Sequence, residues 1–236
     1  MTRSRSKGED GFSLVELIVA MGIGMIVLFG VLAVVQASTT SSSRTTARVT
    51  ANQTARPVLT KIIDELHSGC IYPDFAPVMA GSDGNSLTFI HSTDRGVNPV
   101  PTKRTLALTS GTIEETVYPQ TGGVAPAWTF STTGTTTRYI TGVSQASLGN
   151  PETLVPLFQY YAYDIPTATV SATPLPTPLS AANAAKVVKV TVSFAWAPNR
   201  TTVAPDPDAA LSISDSVLLR FSPATTASGE ALLPCG

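Results

Sequence analysis

Little in this sequence supplies the groups from which active sites and metal centres are built. Its 236 residues hold two cysteines and two histidines, and charged residues make up 13% of the chain. Cys70, Cys235, His67 and His91 lack the spacing of a metal-ligand set. A G-x-S-x-G turn, an H-E-x-x-H helix and a Gly-rich phosphate loop are also missing, so neither enzymatic activity nor a cofactor is expected. Asp64, Glu65 and His67 crowd together, but that spacing puts them on the solvated side of a helix. Glu114/Glu115 and Asp206/Asp208 offer too few ligands for calcium. Positive charge is not in excess: 15 Lys and Arg face 16 Asp and Glu, for a formal net charge of -1. Nucleic acid is therefore not expected as a main partner.

Charge is scarcest where apolar residues are densest. After Glu16 the next charged residue is Arg44, and Leu17 to Val35 is almost wholly apolar. About 20 such residues cross a bilayer as a helix. Arg3, Arg5 and Lys7 precede the run, which predicts a cytoplasmic N-terminus and the bulk of the chain outside. Two features fit a plain anchor badly: Glu16 lies inside the apolar edge, and Gly11 stands at the polar-to-apolar boundary. A carboxylate near hydrocarbon is costly and demands a partner.

The run Gly11-Phe12-Ser13-Leu14-Val15-Glu16 resembles the processing signal of type IV prepilins and type II secretion pseudopilins. The resemblance implies a membrane prepilin peptidase that cuts after Gly11 and N-methylation of the new terminus at Phe12. It also implies that Glu16 pairs with the Phe12 amine of a neighbouring subunit and sets the axial register during assembly, with other pilins or pseudopilins as partners. Residues 1–11 are then a leader, excluded from fold reasoning. Its removal takes three basic and two acidic residues and leaves the mature chain at about -2.

Residues 12–35 are expected to form the transmembrane and assembly helix, with Gly22 and Gly24 a soft point in it. Residues 36–69 are expected to continue it. The first part of that continuation is rich in Ser and Thr, and Pro57 is expected to bend the helix or mark a new start. Leu59, Ile62, Ile63 and Leu66 then recur at helical spacing, opposite Lys61, Asp64 and Glu65, until Gly69 closes the segment. Residues 70–236 read as a β-rich domain. Strands are expected at 86–91, 103–109, 112–118, 137–141, 154–164, 186–196 and 212–221, with the second and third joined by Ser110-Gly111 as a hairpin. Trp128-Thr129-Phe130 is a weaker strand candidate, and Trp128 the best candidate for an exposed subunit contact. Residues 167–179, with Pro174, Pro176 and Pro178, read as a stiff exposed loop. In the 186–196 strand, alternation puts Val188, Val190, Val192, Phe194 and Trp196 on one face, with Val187, Lys189, Thr191 and Ser193 on the other.

A helix followed by an antiparallel sheet is an α+β order. It is similar to the pilin-like architecture of a long N-terminal helix packed on an antiparallel sheet domain. Phe158-Gln159-Tyr160-Tyr161 with Asp164 resembles, loosely, a strand of the larger minor pilins and J-type minor pseudopilins. The resemblance implies a minor structural subunit of a type IV pilus or a type II secretion-like filament. The alternatives are a major or DNA-uptake pilin, and a single-span surface binding protein. Export would bring Cys70 and Cys235 into an oxidising compartment, where they either form a disulfide tying the C-terminal end to the helix or remain two thiols.

Overall fold

A computed structural model describes residues 13–70, 78–92, 100–124, 127–148, 153–164, 167, 169–196 and 211–219. Ser13 opens the first helix, α1 (Leu14–His67), a single element of 54 residues and about 80 Å. Its carbonyl accepts from Leu17 N at 3.2 Å, and its hydroxyl accepts from Glu16 N at 3.3 Å, satisfying a donor the first turn leaves free. The helix runs through Gly22, Gly24, Gly30 and Pro57. Pro57 therefore marks no new start. It removes one main-chain donor at an exposed position, where water can satisfy the freed carbonyl.

The chain divides into two compact units, Met1–Thr46 and Ala47–Gly236. In the first, every described side chain is exposed, and the large apolar ones from Leu14 to Val35 are 52–74% exposed. Ser38–Thr46 is a run of hydroxyl residues broken only by Arg44. Such a run is on the order of 4 kcal/mol less favourable to a helix than alanine.

In the second unit the helix gains a buried side. Leu59, Ile62, Ile63 and Leu66 are buried, as their helical spacing predicts, and Ala51 and Ala55 extend the buried side by two turns that the sequence reading did not include. The small side chains of Ala51 and Ala55 are fully enclosed, so the helix backbone comes close to its neighbours there.

Five strands form the first sheet: β1 (Ser86–His91), β2 (Thr102–Thr109), β3 (Thr112–Gly122), β4 (Thr129–Phe130) and β5 (Thr135–Thr141). They run in the order β1-β2-β3-β4, with β5 also paired to β3, and all pairs are antiparallel. Ser110 at φ 49° and Gly111 at φ 75° make the two-residue turn between β2 and β3 that the sequence predicts. Thr88, Thr105, Thr116 and Thr136 lie opposite one another across four strands, the outer pairs joined by hydroxyl contacts of 3.0 and 2.9 Å.

The second sheet contains β6 (Val143–Leu148), β7 (Thr153–Val155), β8 (Phe158–Tyr161), β11 (Lys189–Trp196) and β12 (Leu211–Leu218), in the order β12-β11-β6-β7 with β8 also on β11. β9 (Tyr163–Asp164) and β10 (Thr169–Val170) make a short separate pair, and α2 (Ala181–Ala184) is one turn capped by Ser180. Helix and both sheets share one core, in which Ile62 and Leu66 join Leu87, Phe89 and Leu106 with Val190, Val192 and Phe194. The fold is α+β.

Three expectations need correction. The strand at 154–164 is three pieces, with Pro156, which has no main-chain donor, between the first two. The strand at 186–196 starts at Lys189, and Val187 is buried although alternation assigned it to the face opposite Val188. Trp128 is half-buried and, like Met79 and Phe130, packs against the small cluster of Cys70 and Ile90, so it is not an exposed contact. β6 and α2 were not anticipated, and residues 220–221 of the last expected strand lie outside the described residues.

Candidate functional site

Two features stand out, one in each unit. In the first, Glu16 sits in the opening turn of α1, exposed, with its carboxylate at the helix end where negative charge is favoured. An apolar surface, exposed on every side of the helix, follows it, and α1 is long and apolar enough to cross a membrane. Gly11 and Phe12, the expected processing residues, lie outside the described residues.

The second feature is a charged network between the end of α1 and the first sheet. Glu65 comes from α1, His91 from the end of β1, Arg104 from β2, Glu115 from β3 and Tyr139 from β5. Arg104 Nη1 donates to Glu65 Oε2 and, at 2.8 Å, to Glu115 Oε1. Glu115 is filled on its other oxygen by the Tyr139 hydroxyl at 2.7 Å. Lys61 Nζ lies 4.0 Å from the centre of the Tyr139 ring, a cation–π contact that adds a second positive charge from the helix.

His91 Nε2 stands 3.1 Å from the same Oε2 of Glu65. An ion pair at that distance would raise the imidazole pKa, yet burial, followed by the nearby Arg104 charge, lowers it to about 4. The contact is therefore a neutral imidazole N–H donating to a carboxylate. Burial also raises the Glu65 pKa, against the opposing pull of Arg104. Burial and the bond to Glu115 push the Tyr139 phenol well above its ordinary range. A groove lined by Arg56, Thr60, Lys61, Asp64, Ser68 and His91, among others, reaches one end of the network.

Main-chain bonds reinforce this junction. Gly69 bridges to His91, Cys70 N donates to Ile90 O at 2.8 Å and Ser92 N donates to Ser68 O at 3.3 Å. Cys70 is fully buried here, while Cys235 lies outside the described residues. So do Asp206 and Asp208. Glu115 has both oxygens occupied by Arg104 and Tyr139, and Glu114 faces Arg138 at 3.5 Å.

The network is held together by charge. His67 is exposed at the helix end, and Asp64 lines the groove. Glu65 corrects the expectation of a merely solvated helix face, because it points into the sheet junction. A signal was present for its two sheet partners, though not for Glu65 itself. Arg104 shares its strand parity with buried Leu106, and Glu115 shares its parity with buried Ile113, so alternation placed both on the inner face.

Residues 6–32 match the family model described as the prokaryotic N-terminal methylation motif. No curated protein and no solved structure matches the chain. The matched stretch contains Gly11, Phe12 and Glu16, and it supports the prepilin and pseudopilin family broadly. A motif of this kind implies processing by a prepilin peptidase and assembly with other pilins, and with the exposed apolar helix it fits membrane anchoring.

Proposed function

We propose that the protein is a minor subunit of a filament of the type IV pilus or type II secretion kind. One observation carries the reading: the methylation-motif match covers the start of a helix whose whole apolar surface is exposed and whose first turn holds Glu16. In this reading residues 1–11 are the leader, cut after Gly11, and Phe12 becomes a methylated N-terminus. Residues 12–35 hold the subunit in the membrane and then form filament contacts. Residues 36–69 lead into the β-rich domain at 70–236, which lies outside the membrane and then on the filament. Cys70 and Cys235 form a disulfide that returns the C-terminal end to the close of α1.

Glu16 has the assembly role because a carboxylate among apolar helices costs a few kcal/mol unless it is paired. The Phe12 ammonium of a neighbouring subunit supplies that pairing. Within one chain the two groups are only about one helical turn apart along the axis, a less favourable arrangement for a direct contact. The size and irregularity of the outer domain favour a minor subunit over the repeated shaft.

The test is an immunoblot of the sheared surface fraction from cells with and without the prepilin peptidase, for the native chain and for Glu16→Ala. The native chain should appear in that fraction in its shorter form, only when the peptidase is present. Glu16→Ala should be cut normally and be strongly depleted from the filament. Normal incorporation of Glu16→Ala would remove the assembly role. A chain that never enters a sheared polymer would leave a plain membrane-anchored protein.

A further inference from the structure

The point at which α1 begins bears on the bond after Gly11. Leu17 N donates to the Ser13 carbonyl at 3.2 Å, and Glu16 N donates to the Ser13 hydroxyl at 3.3 Å. Ser13 lies just before the helix, whose first residue is Leu14. It is therefore an N-cap, and its hydroxyl takes the N–H that a longer helix would give to the Phe12 carbonyl. Ser13 and Glu16 also occupy the cap and third positions of an S-x-x-E box, a sequence mark of a helix start.

The sequence offers a competing start three residues upstream, because Asp10 is as good a cap as serine. A helix begun there would carry Gly11 and Phe12 in its first turn, and the Gly11 carbonyl would accept from Val15 N. Cleavage after Gly11 needs that carbonyl free. Water adds to its carbon, the bond to the Phe12 nitrogen breaks, and a Gly11 carboxylate and a Phe12 amine result. A carbonyl held in a helical turn is closed to that attack.

We propose that Ser13 is a positioning residue for processing: its hydroxyl stops α1 short of the cut, so that the Gly11–Phe12 bond is offered to the peptidase outside the helix. This rests on the prepilin reading of the N-terminal motif. The hydroxyl is bonded to the main chain of Glu16, so the role of Ser13 is separate from that of the Glu16 carboxylate. Glu16→Ala keeps the bond and should be cut at the native rate.

Two measurements on the full chain test it. The first is the rate of cutting by membranes that hold the prepilin peptidase, read as the gel shift on loss of the leader. Ser13→Thr and Ser13→Asn keep a capping oxygen and should be cut within about twofold of the native rate, whereas Ser13→Ala and Ser13→Val should be cut about fivefold more slowly. Threonine and valine have nearly the same shape, so their difference isolates the bond. The second is the carbonyl resonance of the Gly11–Phe12 bond in the uncut chain in detergent micelles. That bond is the one Gly-Phe pair in the sequence, so heavy carbonyl carbon in glycine with heavy nitrogen in phenylalanine marks it alone. The resonance should be non-helical with serine, threonine or asparagine at position 13, and should move towards the helical value with alanine or valine. Equal cutting of the threonine and valine variants, or a resonance that stays non-helical in the alanine and valine variants, overturns the role of Ser13. A native chain that the peptidase never cuts overturns the processing reading itself, and the role in cutting falls with it.

Discussion

Replacing Arg104 by methionine should be among the most damaging single changes outside the apolar core. Arg104 bridges Glu65 and Glu115, and the three side chains are 16%, 17% and 7% exposed. Without the guanidinium, Glu115 keeps only the Tyr139 hydroxyl and Glu65 keeps only the His91 imidazole. Two carboxylates then face each other in a largely dry junction. Breaking a buried pair in this way costs about 3–5 kcal/mol. For a folded unit of this size, each kcal/mol lowers the melting temperature by about 2–4 °C, so a fall of roughly 6–20 °C is expected at neutral pH. The assay is thermal unfolding of the full chain in micelles, followed by the fluorescence of Trp128 and Trp196. The loss should shrink on acidification. In the variant Glu65, whose pKa burial already raises, no longer feels the opposing pull of Arg104, so the folded state gains a proton, and stability, as pH falls. The triple replacement of Arg104, Glu65 and Glu115 by methionine or leucine should recover most of the loss, because no charge is stranded. A single variant that loses less than about 1 kcal/mol, or a triple variant no better than the single, would refute an ionic junction.

His91 makes the native protein acid-sensitive. Its folded pKa of about 4 lies below the ordinary 6.5, so the unfolded chain binds the extra proton and stability falls as pH drops from about 6.5 to 4. The span corresponds to at most about 3 kcal/mol, partly offset by Glu65, whose raised pKa acts in the opposite sense. His91→Gln should flatten that part of a stability-versus-pH curve, and an unchanged slope would show that His91 is not its source. Tyr160 donates to the carbonyls of Asp83 at 2.9 Å and Ser86 at 3.2 Å, and the Ser86 carbonyl also accepts from Asp83 N at 2.7 Å, so Tyr160→Phe should cost about 1 kcal/mol in denaturant unfolding, the net worth of the lost phenol bond. Ser110 holds a positive φ of 49° that asparagine tolerates better, and Ser110→Asn should raise stability by about 0.5 kcal/mol. A lower midpoint for that variant would contradict the turn assignment.

The elements most legible in the sequence were those with one strong local signal. Leu59, Ile62, Ile63 and Leu66 fixed the buried side of α1 because helical spacing has only one way to point them inward. Ser110-Gly111 marked its hairpin because few residue pairs accept two positive φ angles. The fragments around Pro156 were not legible as such. An apolar, aromatic run reads as one strand, and its division depends on which neighbour each piece meets. The ionic junction is a contact among five elements up to 74 residues apart, between Glu65 and Tyr139. Alternation placed Arg104 and Glu115 inward, but no local pattern showed that Glu65 and His91 would meet them. The N-terminal motif was legible for the opposite reason: its meaning lies in residue types at fixed offsets, Gly11, Phe12 and Glu16, and needs no tertiary contact.

The way α1 ends has a mechanical consequence. The helix hands the chain to β1 through the Gly69–His91 bridge and the bonds of Cys70 to Ile90 and Ser92 to Ser68, beside the Arg104 network. A pull transmitted along the helix axis therefore does not arrive at a single covalent link that can unzip the sheet one bond at a time. It is divided among several main-chain bonds and an ionic cluster that must yield together. Under traction the domain should behave as a clamp, resisting up to a threshold load and then releasing abruptly.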